Sequence, residues 1–387
     1  MYARLLEPPK GSFFLLGARG TGKTTWLHGA FPEATRVDLL DEVRFQRYLA
    51  DPAAFGRELA ALPKGSRVVV DEIQRLPQLL NEVHRQIEAR KHRFALTGSS
   101  ARKLRRAGVN LLGGRAVHRT MHPLVPAELG ADFDLERALR HGTLPVVWTA
   151  DDPRDTLEAY ARLYLREEIQ NEALVRNLPS FARFLPIAAL LHGQSLNVSN
   201  LARDAGVART TVVDYLSLLE DTLVATRLEG FEARLRVRER KHAKLYFVDP
   251  GVARALRGRL GKPSEEERGP LFEGMVYGIL RAYRDLGRLD AESITYWAPA
   301  DAQQTEVDFL VSREGEHVAI EVKASSVFRQ EHMKGLRAVA DLEGLRRRIL
   351  VYGGDTAQRT AEGIEVWPFT RLAEELDAGR LWDPEDP

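Results

Sequence analysis

The chain has 387 residues, 44% of them apolar and 29% charged, with a net charge of +1 and no cysteine. That length exceeds one ordinary core and predicts two or three domains. The missing thiols exclude disulfides, thiolate metal sites and a cysteine nucleophile, while near-neutral charge leaves only local basic clusters to bind nucleic acid. No apolar run is long enough to span a bilayer, and the opening "MYARLLEPPK" lacks the apolar core of a signal peptide. A cytoplasmic protein with no membrane partner is expected.

The first informative stretch is "FFLLGARGTGKTTWL". Phe13 to Leu16 reads as a short buried strand and Thr24 onward as a helix. Between them Gly17, Gly20, Thr21, Gly22, Lys23 and Thr24 fit the pattern G-x-x-x-x-G-K-[ST], with Thr25 beside it. Glycines let backbone N–H groups wrap the phosphates of ATP. Lys23 reaches the β- and γ-phosphates, and the Thr24 hydroxyl sits on Mg²⁺. The next strand, Val68 to Val70 of "RVVVDEIQRLP", ends in Asp71 and Glu72. Asp71 is expected to hold magnesium through water, and Glu72 to polarise the attacking water. An adjacent Asp-Glu pair favours hydrolysis over nucleotide binding alone.

"RFALTGSS" is a third strand, ending in Thr97, Ser99 and Ser100. Thr97 is a candidate to sense the γ-phosphate or orient water, although a plain Ser/Thr turn uses the same residues. Beyond it, Arg115 in "NLLGGRAVHRT" follows two glycines and is a candidate to neutralise transition-state charge, in cis or in a neighbouring subunit. A surface arginine is the alternative.

Residues 151 to 177 show helical periodicity after an acidic start, and "FARFLPIAALLHG" reads as a helix with a proline that marks a kink. "SNLARDAGVARTTVVDYLSLLED" has helix-turn-helix spacing: Ser199 as N-cap, Ala202 inward, Gly206 at the turn, Val212 and Leu216 buried. Arg209, Thr210, Thr211 and Tyr215 then fall towards the exposed side of the second helix, where DNA contact is expected. Two strand-like runs follow, flanking a tip where Arg234, Arg236, Arg238 and Arg240 alternate with apolar residues. Such a row suits a wing lying along phosphates, and a protein-binding module with a solvated loop is the alternative.

"GKPSEEERGP" reads as a polar linker, followed by a helix with Glu273 in its first turn. Strands are expected at "ITYW", "TEVDFLVS", "HVAIEVKAS", "RRILVYGG" and "GIEVWPF". Alternation points Glu321 and Lys323 to one face, with Asp308 on the neighbouring strand. Glu273, Asp308 and Glu321 form a nuclease-like set of hard oxygen donors suited to Mg²⁺ or Mn²⁺, with Lys323 to orient or deprotonate water. Exposed cross-strand ion pairs would show the same residues.

Taken in order, "GARGTGKTT", "VVVDEIQRLP", "LTGSSARKL", "LLGGR", "LYFVDPGV", "LFEGMVYGIL" and "EVDFLV…AIEVKAS" resemble an archaeal and bacterial family of AAA-type ATPases with a C-terminal domain of unknown function. The resemblance implies an α/β multidomain chain: an AAA-like P-loop ATPase domain, a winged-helix domain and a PD-(D/E)XK nuclease-like domain. The expected spans are 1–148, 149–263 including a helical linker, and 264–387. It carries over Gly22, Lys23, Thr24, Asp71 and Glu72 for the nucleotide, Thr97 and Arg115 beside them, and Glu273, Asp308, Glu321 and Lys323 for the nuclease-like site. The function expected is a Mg²⁺-dependent ATPase acting on DNA, branched or single-stranded intermediates being favoured, and assembling as a homo-oligomer such as a hexameric ring. A regulatory or defence switch that binds protein, and an ATP-gated nuclease, are the alternatives.

Overall fold

The computed structural model describes residues 2–100, 112–164, 178–232, 242–299 and 305–383, with the side chains of residues 163 and 164 left out. Contacts gather the chain into two compact units rather than three. The first comprises Met1–His122 with Leu144–Val146 and Ser217–Val224; the second holds Pro123–Thr143, Val147–Leu216 and Ala225–Pro387.

In the first unit, strands β1 (Ser12–Leu16), β2 (Thr35–Asp38), β3 (Arg67–Asp71), β4 (Arg93–Gly98) and β5 (Ala116–Thr120) form one sheet in the order β2-β3-β4-β1-β5. Every pairing is parallel. The central strands β1, β3 and β4 read as apolar runs because helices cover parallel sheets. Phe14, Val68, Val70, Phe94 and Leu96 share a core with Tyr48, Phe55, Leu79, Leu80 and Val83 from three helices. Parallel strands place all their C-terminal ends on one edge, and the loops there carry the candidate nucleotide residues.

The second unit begins its strands with β6 (Gln194–Ser195), β7 (Ala225–Leu228) and β8 (Lys244–Phe247), a small sheet in the order β6-β8-β7. Two helices precede β7, Val198–Ala205 and Arg209–Asp221, joined at Gly206 with φ 64°. Ala202, Val212 and Leu216 are buried, as the spacing requires. The first helix is capped by Asn197, not Ser199: its side chain accepts the N–H groups of Ser199 and Asn200 at 3.1 and 3.0 Å. Pro186 lies inside the helix Leu178–Leu190, which continues past it.

A six-stranded mixed sheet follows, in the order β13-β14-β12-β11-β10-β9. Its strands are β9 (Ser293–Trp297), β10 (Val307–Arg313), β11 (Glu316–Lys323), β12 (Leu345–Tyr352), β13 (Gln358–Arg359) and β14 (Glu365–Pro368). The expected linker at 261–270 is partly helix. Ser264 caps a helix over Glu265–Asp285 in a reciprocal pair with Glu267, at 3.3 and 3.0 Å. Glu273 therefore sits in its third turn. The same helix is tied back by Arg268 to Glu136 and by Arg257 to Glu267. The second unit runs on across residue 263, and the first ends at residue 122 apart from Leu144–Val146 and Ser217–Val224.

Candidate functional site

At the C-terminal edge of the first sheet, β1 runs into the glycine loop. Gly20 and Gly22 hold φ of 78° and 85°, which favour glycine. A Cβ on Gly17 would lie 2.5 Å from the Met121 carbonyl, so this turn admits no side chain. The Thr21 hydroxyl donates to the Ala18 carbonyl at 2.7 Å, and Arg4 braces the loop from outside by donating to the Thr21 and His122 carbonyls at 3.0 and 2.6 Å. Lys23 is buried, its ammonium donating to the Gly17 and Ala18 carbonyls at 2.8 and 3.2 Å. Thr24 and Thr25 face solvent in the first turn of the helix Lys23–Ala30.

The Thr24 hydroxyl donates to Asp71 Oδ2 at 2.8 Å. Thr97 donates to the other Asp71 oxygen, Oδ1, and accepts the Glu72 N–H at 3.1 Å. Thr97 is wholly buried and its hydroxyl is engaged at the strand end. In this arrangement it positions Asp71 at the strand end. Glu72 takes a left-handed conformation, φ 57°, and accepts a hydrogen bond from Gln74, which also donates to Ser99 Oγ at 3.2 Å. A Cβ at Gly98 would lie 2.7 Å from Gln74 Oε1, so the glycine makes room for this brace. A hydroxyl and a carboxylate converging beside a phosphate loop are the donors that magnesium requires, so the residues present fit Mg²⁺.

Arg115 is placed otherwise. Ser12 pairs with Ala116 and Leu16 with Thr120, so Arg115 precedes β5 at the edge opposite the glycine loop. There it forms an ion pair with Glu88. The strand β5 separates it from its own chain's loop, which removes the cis role.

In the second unit, Phe309 pairs with Ile320, which brings Asp308 beside Glu321. Asp308 Oδ2 accepts the Val322 N–H at 2.8 Å, and the Lys323 ammonium lies 2.5 Å from Glu321 Oε1 and 4.0 Å from Asp308. Glu273 arrives from the long helix. The sequence reading missed Lys244 and Tyr246, which share a face of β8 by the period of two. Lys244 places its ammonium 3.0 Å from Glu273, 3.0 Å from Glu306 and 3.5 Å from Asp308, and the Tyr246 hydroxyl donates to Glu273. Among the described residues no group of three carboxylates or imidazoles is arranged to hold a metal ion, so the expected metal set of Glu273, Asp308 and Glu321 is not formed. Burial, reinforced by the Asp308 charge, pushes the Glu273 and Glu321 carboxyls above the usual carboxylate range. Burial opposes the charge on Lys323, yet Asp308 and Glu321 outweigh it and hold its pKa up. Held charged in this arrangement, Lys323 is a hydrogen-bond donor.

Arg209 and Thr210 are exposed at the start of the second helix of the pair, and Thr211 is half-buried. Tyr215 is buried instead, its ring 4.9 Å from Phe181 and 5.2 Å from Phe184. The one-in-four repeat that carries Arg209 outward turns Tyr215 inward beside Val212 and Leu216. Arg234, Arg236, Arg238 and Arg240 lie outside the described residues.

A glycine loop and an Asp-Glu strand end on one edge of a parallel sheet define a P-loop NTPase-like domain. Residues 10–130 match the model of an AAA domain, 132–263 a domain of unknown function (DUF8612), and 268–372 a domain of unknown function (DUF4143). The chain is an AAA-type P-loop protein with a C-terminal domain of unknown function. It is 28% identical over 370 residues to an uncharacterized protein of Mycobacterium tuberculosis, covering 92% of this chain and 80% of that one. An uncharacterized protein of Haemophilus influenzae is 24% identical over 294 residues, covering 70% and 68%. Among solved structures, a signal-transduction ATPase with a tetratricopeptide-repeat sensor from Pyrococcus horikoshii matches at a TM-score of 0.25 and 14% identity. The match covers 71% of this chain and 45% of that one. The replication initiator DnaA bound to AMPPCP and single-stranded DNA matches at 0.25 and 12%, covering 56% and 83%. Neither score marks a shared fold along the chain.

Proposed function

We propose that the chain is a Mg²⁺-dependent ATPase whose nucleotide state controls a grip on DNA. One observation carries the catalytic half: the bond from Thr24 to Asp71, at the mouth of the glycine loop, with Glu72 next in the chain. Lys23, now donating to the Gly17 and Ala18 carbonyls, would exchange those partners for the β- and γ-phosphate oxygens of ATP. Loop N–H groups cradle the phosphates. Thr24 and Asp71 would hold Mg²⁺, which when bound neutralises charge developing on the phosphate oxygens. Glu72 orients the attacking water, and Gln74 holds Glu72 in place. Arg115, on the far edge, serves a neighbouring subunit's site in a homo-oligomer such as a hexameric ring.

For DNA, the reading is a winged helix: two helices joined at Gly206, then the antiparallel pair β7 and β8. Arg209, Thr210 and Thr211 contact the duplex, and the arginines at 234, 236, 238 and 240 lie along phosphates. The acidic sheet of the C-terminal part, read as nuclease-like, adds a backbone-reading surface, and branched or single-stranded DNA is the favoured class. Measuring ATP turnover with and without duplex, forked and single-stranded DNA tests this. DNA should change the rate, and Glu72→Gln should abolish turnover while retaining ATP. DNA that neither binds nor alters turnover would sink the DNA half.

A further inference from the structure

A cavity of about 430 Å³ lies within the second unit, lined by the helix Pro153–Ala159 and the turn after it, by the end of the helix Pro250–Leu256 and by the loop that follows. Its wall carries five cationic side chains, Arg154, Arg162, Arg254, Arg259 and Lys262, against two carboxylates, Glu158 and Glu267. Both carboxylates are already engaged. Glu158 pairs with Arg162 at 2.6 Å, and Glu267 pairs with Arg257 at 3.3 Å while accepting the Ser264 N–H at 3.0 Å. Among the described residues no ion pair engages Arg154, Arg259 or Lys262, so the wall keeps an excess of three positive charges. Arg254 is 1% exposed, and its guanidinium donates to the Arg140 and Gly261 carbonyls at 2.8 and 2.7 Å, which fixes the loop carrying Arg259 and Lys262. Gly258, at φ 68°, closes the helix in a left-handed turn, where the Arg259 N–H donates to the Arg254 carbonyl at 2.9 Å. Burial disfavours the Arg254 charge; Glu267 offsets this, and Arg140, Arg257 and Arg259 oppose the charge again.

We propose that this cavity binds a small molecule carrying two linked phosphates, held by Arg154, Arg259 and Lys262. Small-molecule sites run from about 300 to 1,000 Å³, and this volume falls among them. A phosphate group brings about −1.5 to −2 near neutral pH, so a linked pair answers three positive charges where a single phosphate leaves part of them uncompensated. The planar fork of arginine takes two phosphate oxygens at once, and lysine adds a compact point charge. The phosphates of a duplex lie along a rod of regular charge spacing, which an outward row of cations meets better than the wall of a cavity. A small molecule is therefore the occupant the concave shape favours. This inference rests on the cavity alone and is independent of ATP hydrolysis at the glycine loop or DNA binding.

The test is isothermal titration calorimetry of the full chain carrying Lys23→Ala, which disarms the glycine loop, with inorganic pyrophosphate as the probe. One site per chain is expected, and orthophosphate should bind at least about tenfold more weakly, a difference of about 1.4 kcal/mol. Adding Arg259→Glu and Lys262→Glu, both at exposed positions, should weaken pyrophosphate by at least about tenfold. Adding Lys64→Glu and Lys334→Glu instead makes the same change of net charge at exposed positions that do not line the cavity, and should leave the affinity within about twofold. Gly261→Glu is a further variant: a Cβ there meets nothing within 4 Å, so the new carboxylate enters without strain and should also weaken pyrophosphate. The proposal is overturned if pyrophosphate does not bind, if both charge-reversed pairs weaken it alike, or if orthophosphate binds as tightly. A duplex oligonucleotide that displaces pyrophosphate overturns it as well.

Discussion

His192 makes the stability of the second unit sensitive to acid, with a magnitude that follows from its surroundings. It follows the helix Leu178–Leu190; Nδ1 accepts the Phe247 N–H at 3.1 Å, while Nε2 is buried without a partner. A Cβ on Gly274 would lie 2.2 Å from Nε2, so the long helix closes over the ring. Burial, with the charge of Arg257 second, lowers the pKa to about 4. The unfolded chain returns to about 6.5. Between these values the unfolded state binds a proton that the folded state refuses, so stability is complete above pH 6.5 and falls as the pH drops towards 4. From pH 7 to pH 5 the loss is about 2 kcal/mol, approaching about 3 kcal/mol at lower pH. Urea unfolding of wild type and His192→Asn at both pH values reads it, because asparagine can still accept from Phe247 but does not titrate. Other titrating groups cancel in that comparison. Equal pH dependence in the two chains would refute a neutral, buried imidazole.

Four further outcomes follow from the geometry. Lys23→Ala should lower ATP turnover by about a hundredfold or more, since a donor aimed at transferring phosphate is lost, as steady-state phosphate release will show. Thr97→Ala should raise the Mg²⁺ concentration for half-maximal turnover by about tenfold, with Thr97→Ser restoring it, because the hydroxyl orients a metal-binding carboxylate; an unchanged Mg²⁺ requirement would remove that role. Tyr215→Ala should cost about 3–5 kcal/mol in urea unfolding, as buried aromatics do, without changing the salt dependence of DNA binding. Arg209→Ala should instead reduce that salt slope by about one unit with little loss of stability.

The geometry of the glycine-loop edge was legible because it is local: one loop and one strand end, each dictated by neighbouring residues. "GGR" left open whose site Arg115 serves, and the register that starts β5 at Ala116 fixes the arginine at the edge opposite its own chain's loop. Tyr215 misled through period: four residues after Thr211, it was assigned to the outward face, while Phe181 and Phe184 on an earlier helix supply an aromatic pocket. "SEEERGP" carried a readable start signal, Ser264 with Glu267 three residues on, obscured by the proline at 270. Lys244 could not be placed from its own neighbourhood. Its partners lie 29, 62 and 64 positions away, and only the packing of β8 against the long helix and β10 brings them together.

The two acidic sites divide on what stands beside each carboxylate. Asp71 is held by two hydroxyls, Thr24 and Thr97, which fix its direction without supplying a positive charge. Hydroxyls are also ligands or neighbours that magnesium tolerates. Asp308 is flanked by two ammoniums, Lys244 and Lys323, on its two oxygens. Both carboxylates terminate or begin a strand of a largely buried sheet, and neither sequence context distinguishes them. The difference is carried by the residue types beside each carboxylate, two threonines in one case and two lysines in the other. Exchanging a neutral donor for a charged one turns a cation-binding carboxylate into half of a closed ion network, and that is why the acidic motif by itself does not specify metal chemistry.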